Sequence, residues 1–256
     1  MIRTTWLARL LSVATGPLLL YGCATRTVVF DAETRQGAIG AQPGRSGLVI
    51  AAPHGSSDVR TADIAADLGR RTGFGLVIAT GFAIEPDAHE QAGRRYQVNR
   101  PMEGVPGRPP SEETETGCAR EVYDAYEARV REAARGPLRF LAEIHGNNHG
   151  DAAGRIEIAT VGVDRELAFR LRALFELIRD AHLQRQTQAP RLDVLIEPAD
   201  TLRYTASGAK RCGILKLPER ALHIELPKAA RAEWREVYTA ILADFLVQAV
   251  AYDPGR

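Results

Sequence analysis

Leu48-Val49-Ile50-Ala51-Ala52-Pro53-His54-Gly55-Ser56-Ser57-Asp58 sets an apolar, partly β-branched run directly against a histidine, a glycine, two hydroxyls and a carboxylate. A short apolar run bounded by turn residues reads as a buried strand, and in open α/β sheets ligands sit beyond the carboxyl ends of strands. His54 and Asp58 stand at such an end. Imidazole and carboxylate are both zinc ligands, so the pair is either half of a metal site that needs one more histidine or, on the plainer reading, part of a turn.

Working outward, residues 61–71 carry helical spacing, with Ile64, Ala65 and Leu68 on one face and Thr61 as the N-cap. Gly73-Phe74-Gly75 stops that helix, and residues 76–79 form a second buried strand. Strand, helix and strand in this order make a βαβ unit with parallel pairing. Residues 81–117 are polar and rich in Pro and Gly, with Gly104 to Ser111 excluded from regular structure, and a loop this long in a compact domain is functional or disordered. It contains Tyr96-Gln97-Val98-Asn99-Arg100-Pro101. A helix over 118–135 follows, striped with Val122, Tyr123, Tyr126 and Val130.

The first pattern then repeats. A strand over 138–144 runs straight into His145-Gly146-Asn147-Asn148-His149-Gly150. Residues 155–161 alternate as a strand, 165–180 form an amphipathic helix, and 192–196 a short strand. Ala221-Leu222-His223-Ile224-Glu225-Leu226-Pro227 is an apolar strand interrupted by one acid, and a closing helix over 229–252 carries Trp234, Val237, Ile241, Phe245 and Ala249 at helical spacing. The sum is an α/β fold, a three-layer sandwich with a central mixed, mostly parallel sheet.

The chain has 256 residues, and 33 Lys and Arg balance 32 Asp and Glu. That even charge removes the electrostatic case for nucleic acid, which calls for a clustered basic surface. No solenoid repeat or long heptad run is present. At the amino end, Arg3, a mostly apolar stretch over 6–20 and then Leu20-Tyr21-Gly22-Cys23 resemble a bacterial lipoprotein signal. The apolar part is shorter than the ~20 residues that span a bilayer, which favours a processed targeting segment. The resemblance implies removal of residues 1–22, lipidation of Cys23, a membrane anchor and a protein facing the periplasm or exterior, against the alternative of plain secretion. Residues 23–46, with Gly37, Gly40, Pro43 and Gly44, read as a tether, and 47–256 as one catalytic domain. In an oxidising compartment, Cys118 and Cys212 form either one disulfide or two separate thiols.

Three strands therefore end in or contain unusual polar groups: His54 with Asp58, His145 with His149 after it, and Glu225. Two histidines and one carboxylate satisfy a three-ligand catalytic zinc site, with Glu225 as base. The plainer alternatives are a turn-capping His149, an edge His223 that alternates with Glu225, and an arginine salt bridge for Glu225.

Pro53-His54-Gly55 with Asp58 and Thr61, Asn99-Arg100-Pro101, Ile144-His145-Gly146 and Ile224-Glu225-Leu226-Pro227, in that order, resemble the N-formylglutamate amidohydrolases and phage-type poly-γ-glutamate hydrolases and, more distantly, the zinc carboxypeptidases. The resemblance implies a zinc carboxypeptidase-like fold, zinc held by His54, Asp58 and His145, Glu225 as catalytic base, and Arg100 with Asn99 on a substrate carboxylate. Asp63 is the alternative second ligand. The expected activity is extracytoplasmic hydrolysis of an amide bond in an N-acyl glutamate or γ-glutamyl substrate. The rivals are a peptidase acting on peptidoglycan peptides and a lipoprotein that binds a ligand without turnover.

Overall fold

The computed structural model describes residues 29–34, 37–84 and 93–252. The lipoprotein-type segment and Cys23 lie outside them. The strands are β1 (Val29–Thr34), β2 (Gly37–Gln42), β3 (Arg45–Ala52), β4 (Phe74–Thr80), β5 (Ala83–Ile84), β6 (Arg94–Tyr96), β7 (Glu103–Gly104), β8 (Phe140–Gly146), β9 (Arg155–Val161), β10 (Asp193–Ile196) and β11 (Arg220–Leu226). The helices are α1 (Thr61–Thr72), α2 (Gly117–Ala134), α3 (Arg165–Leu183), α4 (Ser207–Cys212), α5 (Lys228–Arg231) and α6 (Arg235–Ala249).

Eight strands form the central sheet in the order β1-β2-β4-β3-β8-β11-β9-β10. Its middle is parallel, β4 to β3, β3 to β8 and β8 to β11, while β9 runs antiparallel to β11. The alternation of side chains along a strand sorts the core into two layers. Leu48, Ile50, Leu76, Ile78, Ala142, Ile144, Leu222 and Ile224 face α1, α3 and α6. Val49, Ala51, Val77, Ala79 and Leu141 face the other way, against Val122, Tyr126 and Val130 of α2. Helices on both faces of a mixed sheet make the three-layer sandwich, as the sequence pattern predicts.

Four local expectations are corrected. The tether over 23–46 does not hold where residues are described, because β1 and β2 extend the sheet and β2 pairs with β4. Thr61 is not the cap of α1. Arg60 holds that place with φ 73°, and the Thr61 hydroxyl instead donates to Asp58 O at 2.7 Å. The stretch over 81–117 carries the small sheet β5-β6-β7, which includes Gly104, and a 3-10 turn at Pro110–Glu112. The closing helix is two helices, α5 and α6, separated by residues 232–234. Among the described residues no helix is long and apolar enough to cross a membrane.

The two thiols are not bridged. Cys118 is exposed in the first turn of α2, and Cys212 is turned back on its own helix, its Sγ 3.3 Å from Gly208 O.

Candidate metal centre

Parallel β3, β8 and β11 place three chain segments at one end of the sheet. After β3 the chain makes a tight turn in which Asp58 N donates to His54 O at 2.8 Å, the i to i+4 spacing that brings the two side chains together. Gly55 is required there. A Cβ would lie 2.9 Å from Ala79 O and 3.1 Å from Ile78 Cγ2. His54 Nδ1 is 3.3 Å from Asp58 Oδ2, and the same oxygen is 3.5 Å from His145 Nδ1 and accepts from Gly146 N at 3.3 Å. One carboxylate thus joins the end of β3 to the end of β8.

On β8 and β11 the site is written in the register. Glu143 stands opposite His223, and His145 opposite Glu225. All four are buried on the face that Leu141 and Ala221 share with α2. Glu143 is fully enclosed. It accepts from Tyr126 Oη and Asn99 Nδ2, both at 3.0 Å, and lies 3.5 Å from His145 Nε2 and from His223 Nδ1. His223 Nε2 is 3.3 Å from Glu225 Oε1. Within this group of four, His145 Nε2 and Glu225 Oε2 are buried without a hydrogen-bond partner.

The loop after β6 closes the site. Val98 is buried with φ 54°, a conformation that costs a β-branched residue about 1–3 kcal/mol. That reversal turns Gln97 O toward His54 Nε2, 3.2 Å away, while the next side chain, Asn99, reaches Glu143. Arg231, also buried, ties the strand ends together by donating to Leu226 O, Val59 O and Asn147 O at 3.0, 2.6 and 2.9 Å.

The electrostatics divide the two histidines. Burial, reinforced by the Arg95 guanidinium, lowers His54 to about 4 and keeps it neutral. Burial also opposes charge on His145, but the facing carboxylates of Asp58 and Glu143 outweigh it and raise this ring to about 10. Burial would raise Glu143, yet the His145 and His223 rings that face it hold it well below the usual carboxylate range. Asp58 is likewise held low, with burial outweighed by His54 and by the His145 hydrogen bond.

The donor atoms of His54, Asp58 and His145 all lie within 4.8 Å of one another, as do those of Glu143, His145 and His223. The first set fits a metal ion better. It borders a cavity of about 620 Å³ that Glu225 and His223 also line, and its two imidazoles and one carboxylate are the donor types a catalytic zinc site uses. In the second set, Glu143 is already engaged by Tyr126 and Asn99. Arg95 stands close to the first set, its Nη2 3.0 Å from His54 Nδ1 and 3.5 Å from Asp58 Oδ1. An ion on these donors therefore requires that guanidinium to draw back.

Of the residues expected from sequence, His54, Asp58, His145, Glu225, Asn99 and Arg100 all line one cavity. Asp63 does not. It is exposed on α1, paired with Arg60 and Arg235. Arg100 is not free for a substrate. It makes a double contact with Glu113, Nε to Oε2 at 3.0 Å and Nη2 to Oε1 at 2.7 Å, and also reaches Asn99 Oδ1 at 3.2 Å. Asn99 itself serves Glu143. The sequence reading misses Glu143, Arg95 and Glu113. Glu143 could have been found, since it interrupts an apolar strand two residues before His145 as Glu225 does two residues after His223.

No protein-family model matches the chain, and no curated protein does. Several solved structures are similar to the chain at low identity. A metallo-carboxypeptidase from Burkholderia cenocepacia is 12% identical with a TM-score of 0.38, over 86% of this chain and 65% of that one. A bacteriophage poly-γ-glutamate hydrolase is 14% identical with a TM-score of 0.45, over 86% of this chain and 91% of that one. An Agrobacterium tumefaciens gene product is 16% identical with a TM-score of 0.43, over 83% and 93%.

Proposed function

We propose that this chain is a zinc-dependent amidohydrolase that cleaves the amide bond of a carboxylate-bearing substrate of the N-acyl glutamate or γ-glutamyl type. The observation that carries the reading is the convergence of His54, Asp58 and His145 on one side of a cavity whose wall also holds Glu225, with Oε2 of that acid buried and unpartnered. An ion held by the three ligands would supply Lewis-acid polarisation of the scissile carbonyl and acidification of water. The chain supplies the rest. Glu225 takes the proton of the attacking water and returns it to the departing nitrogen. Arg95 sets a positive charge at the cavity wall where negative charge develops on the carbonyl oxygen.

Recognition of the substrate carboxylate is assigned to Arg100, which then has to exchange Glu113 for the incoming carboxylate. Both partners present two contacts of the same geometry, so Glu113 is a competitor held on the chain. Glu113→Gln is expected to lower KM for an anionic substrate about five-fold, on the order of 1 kcal/mol, with kcat little changed. Steady-state kinetics on parent and variant check this, and an unchanged or higher KM would count against Arg100 as the recognition group.

The reading also includes export and lipid attachment at Cys23, supported by Arg3, the apolar stretch over 6–20 and the cysteine that follows it. The test of function is a hydrolysis screen of zinc-loaded protein on N-acyl glutamates, γ-glutamyl oligomers and muropeptides. Turnover of one of the first two, abolished by a chelator and restored by zinc, is expected. Turnover of muropeptides alone would replace the substrate class with peptidoglycan peptides. No turnover on any substrate by folded, zinc-loaded protein would overturn the enzyme reading in favour of a binding protein.

A further inference from the structure

We propose that His223 is the positioning residue for Glu225, holding one carboxylate oxygen so that the other is presented to the reacting atoms. The inference rests on the proposed hydrolase reading and adds to it a division of labour between the two oxygens of Glu225.

His223 and Glu225 are two apart on β11, so their side chains leave the same face of the sheet, and both are buried. The imidazole is fixed on three sides. Its Nε2 lies 3.3 Å from Glu225 Oε1, its Nδ1 lies 3.5 Å from Glu143 Oε2, and its plane stacks on the His145 ring with centroids 3.9 Å apart and 29° between planes. Glu143 is fixed in turn by Tyr126 from α2 and by Asn99 from the loop above. The ring therefore transmits the rigidity of the helix layer to a side chain that would otherwise have free rotation about its own bonds. With Oε1 held, Glu225 Oε2 is left buried and without a partner in the cavity that His54, Asp58 and His145 line. A base aimed by a fixed neighbour retains near-attack geometry, and a displacement of about 1 Å is enough to cost on the order of 100-fold in rate.

The two ring nitrogens allow the contacts to be tested separately. The side-chain amide nitrogen of glutamine reaches about as far along the side chain as Nε2, and that of asparagine about as far as Nδ1. His223→Gln thus places an amide nitrogen toward Glu225 and gives up the contact with Glu143, and His223→Asn does the reverse. The expected result is a fall of about 10- to 100-fold in kcat for His223→Ala with KM within two-fold of the parent, recovery to within about three-fold in His223→Gln, and no recovery in His223→Asn. Zinc affinity, measured by chelator competition, is expected to stay within about three-fold of the parent in all three, which separates an effect on Glu225 from an effect on the ligands. Parent kcat in His223→Ala, or recovery by asparagine in place of glutamine, would overturn the inference while leaving the hydrolase reading intact. A loss of zinc affinity that accounts for the loss of rate would also overturn it, by making His223 a support for His145. An inactive, folded, zinc-loaded parent removes the hydrolase reading and this inference with it.

Discussion

Glu225→Gln lowers kcat by about 10²–10⁴ while leaving KM and metal content near those of the parent, the range that a positioned acid–base group contributes. The substitution keeps the shape of the side chain and an oxygen or amide within reach of His223, so the fold has little reason to respond. It removes only the ability to carry a proton. Glu225 Oε2 is enclosed and unpartnered, whereas the same atom in a structural salt bridge would face an arginine, and among the described residues no arginine pairs with it. Its recorded ionic neighbour is His223, which alternates with it on β11. A kcat within ten-fold of the parent would assign Glu225 to structure.

Glu143→Ala is expected to cost about 3–5 kcal/mol of folding stability, read by denaturant unfolding of parent and variant. The carboxylate is fully buried, and its removal leaves Tyr126 Oη and Asn99 Nδ2 without an acceptor inside the core and His145 and His223 without the charge that faces them both. Each orphaned donor carries a desolvation penalty that water cannot relieve. Glu143→Gln keeps an acceptor for one of these donors and is expected to lose less than the alanine variant. A loss below about 1 kcal/mol in Glu143→Ala would mean that the cluster is loosely held and that the register of β8 and β11 has no energetic consequence for the site.

How much was readable beforehand follows from where the information lies. His54, His145 and Glu225 each close or interrupt an apolar run near the end of a strand, with Asp58 in the turn that follows the first, and that is a local signal. The pairing of Glu143 with His223 is not local. It depends on β8 and β11 being parallel neighbours in one particular register, and the sequence separation of 80 residues hides it. The same holds for Arg100 and Glu113, joined across an irregular loop. Strand β2 escaped notice because Gly37 and Gly40 read as breakers. At Gly37 the glycine marks close backbone approach, since a Cβ there would come 2.5 Å from Thr80 O. The closing helix read as continuous because apolar spacing persists through residues 229–249. The break at 232–234 gives Arg231 the short helix from which it reaches back to the strand ends.

The central claim is that His54, Asp58 and His145 hold one metal ion, and metal stoichiometry on the purified protein tests it most directly. One zinc per chain is predicted in the parent and in Glu225→Gln, and none in folded His54→Ala or His145→Ala. A folded parent that takes up no zinc, or histidine variants that keep the full equivalent, would contradict it.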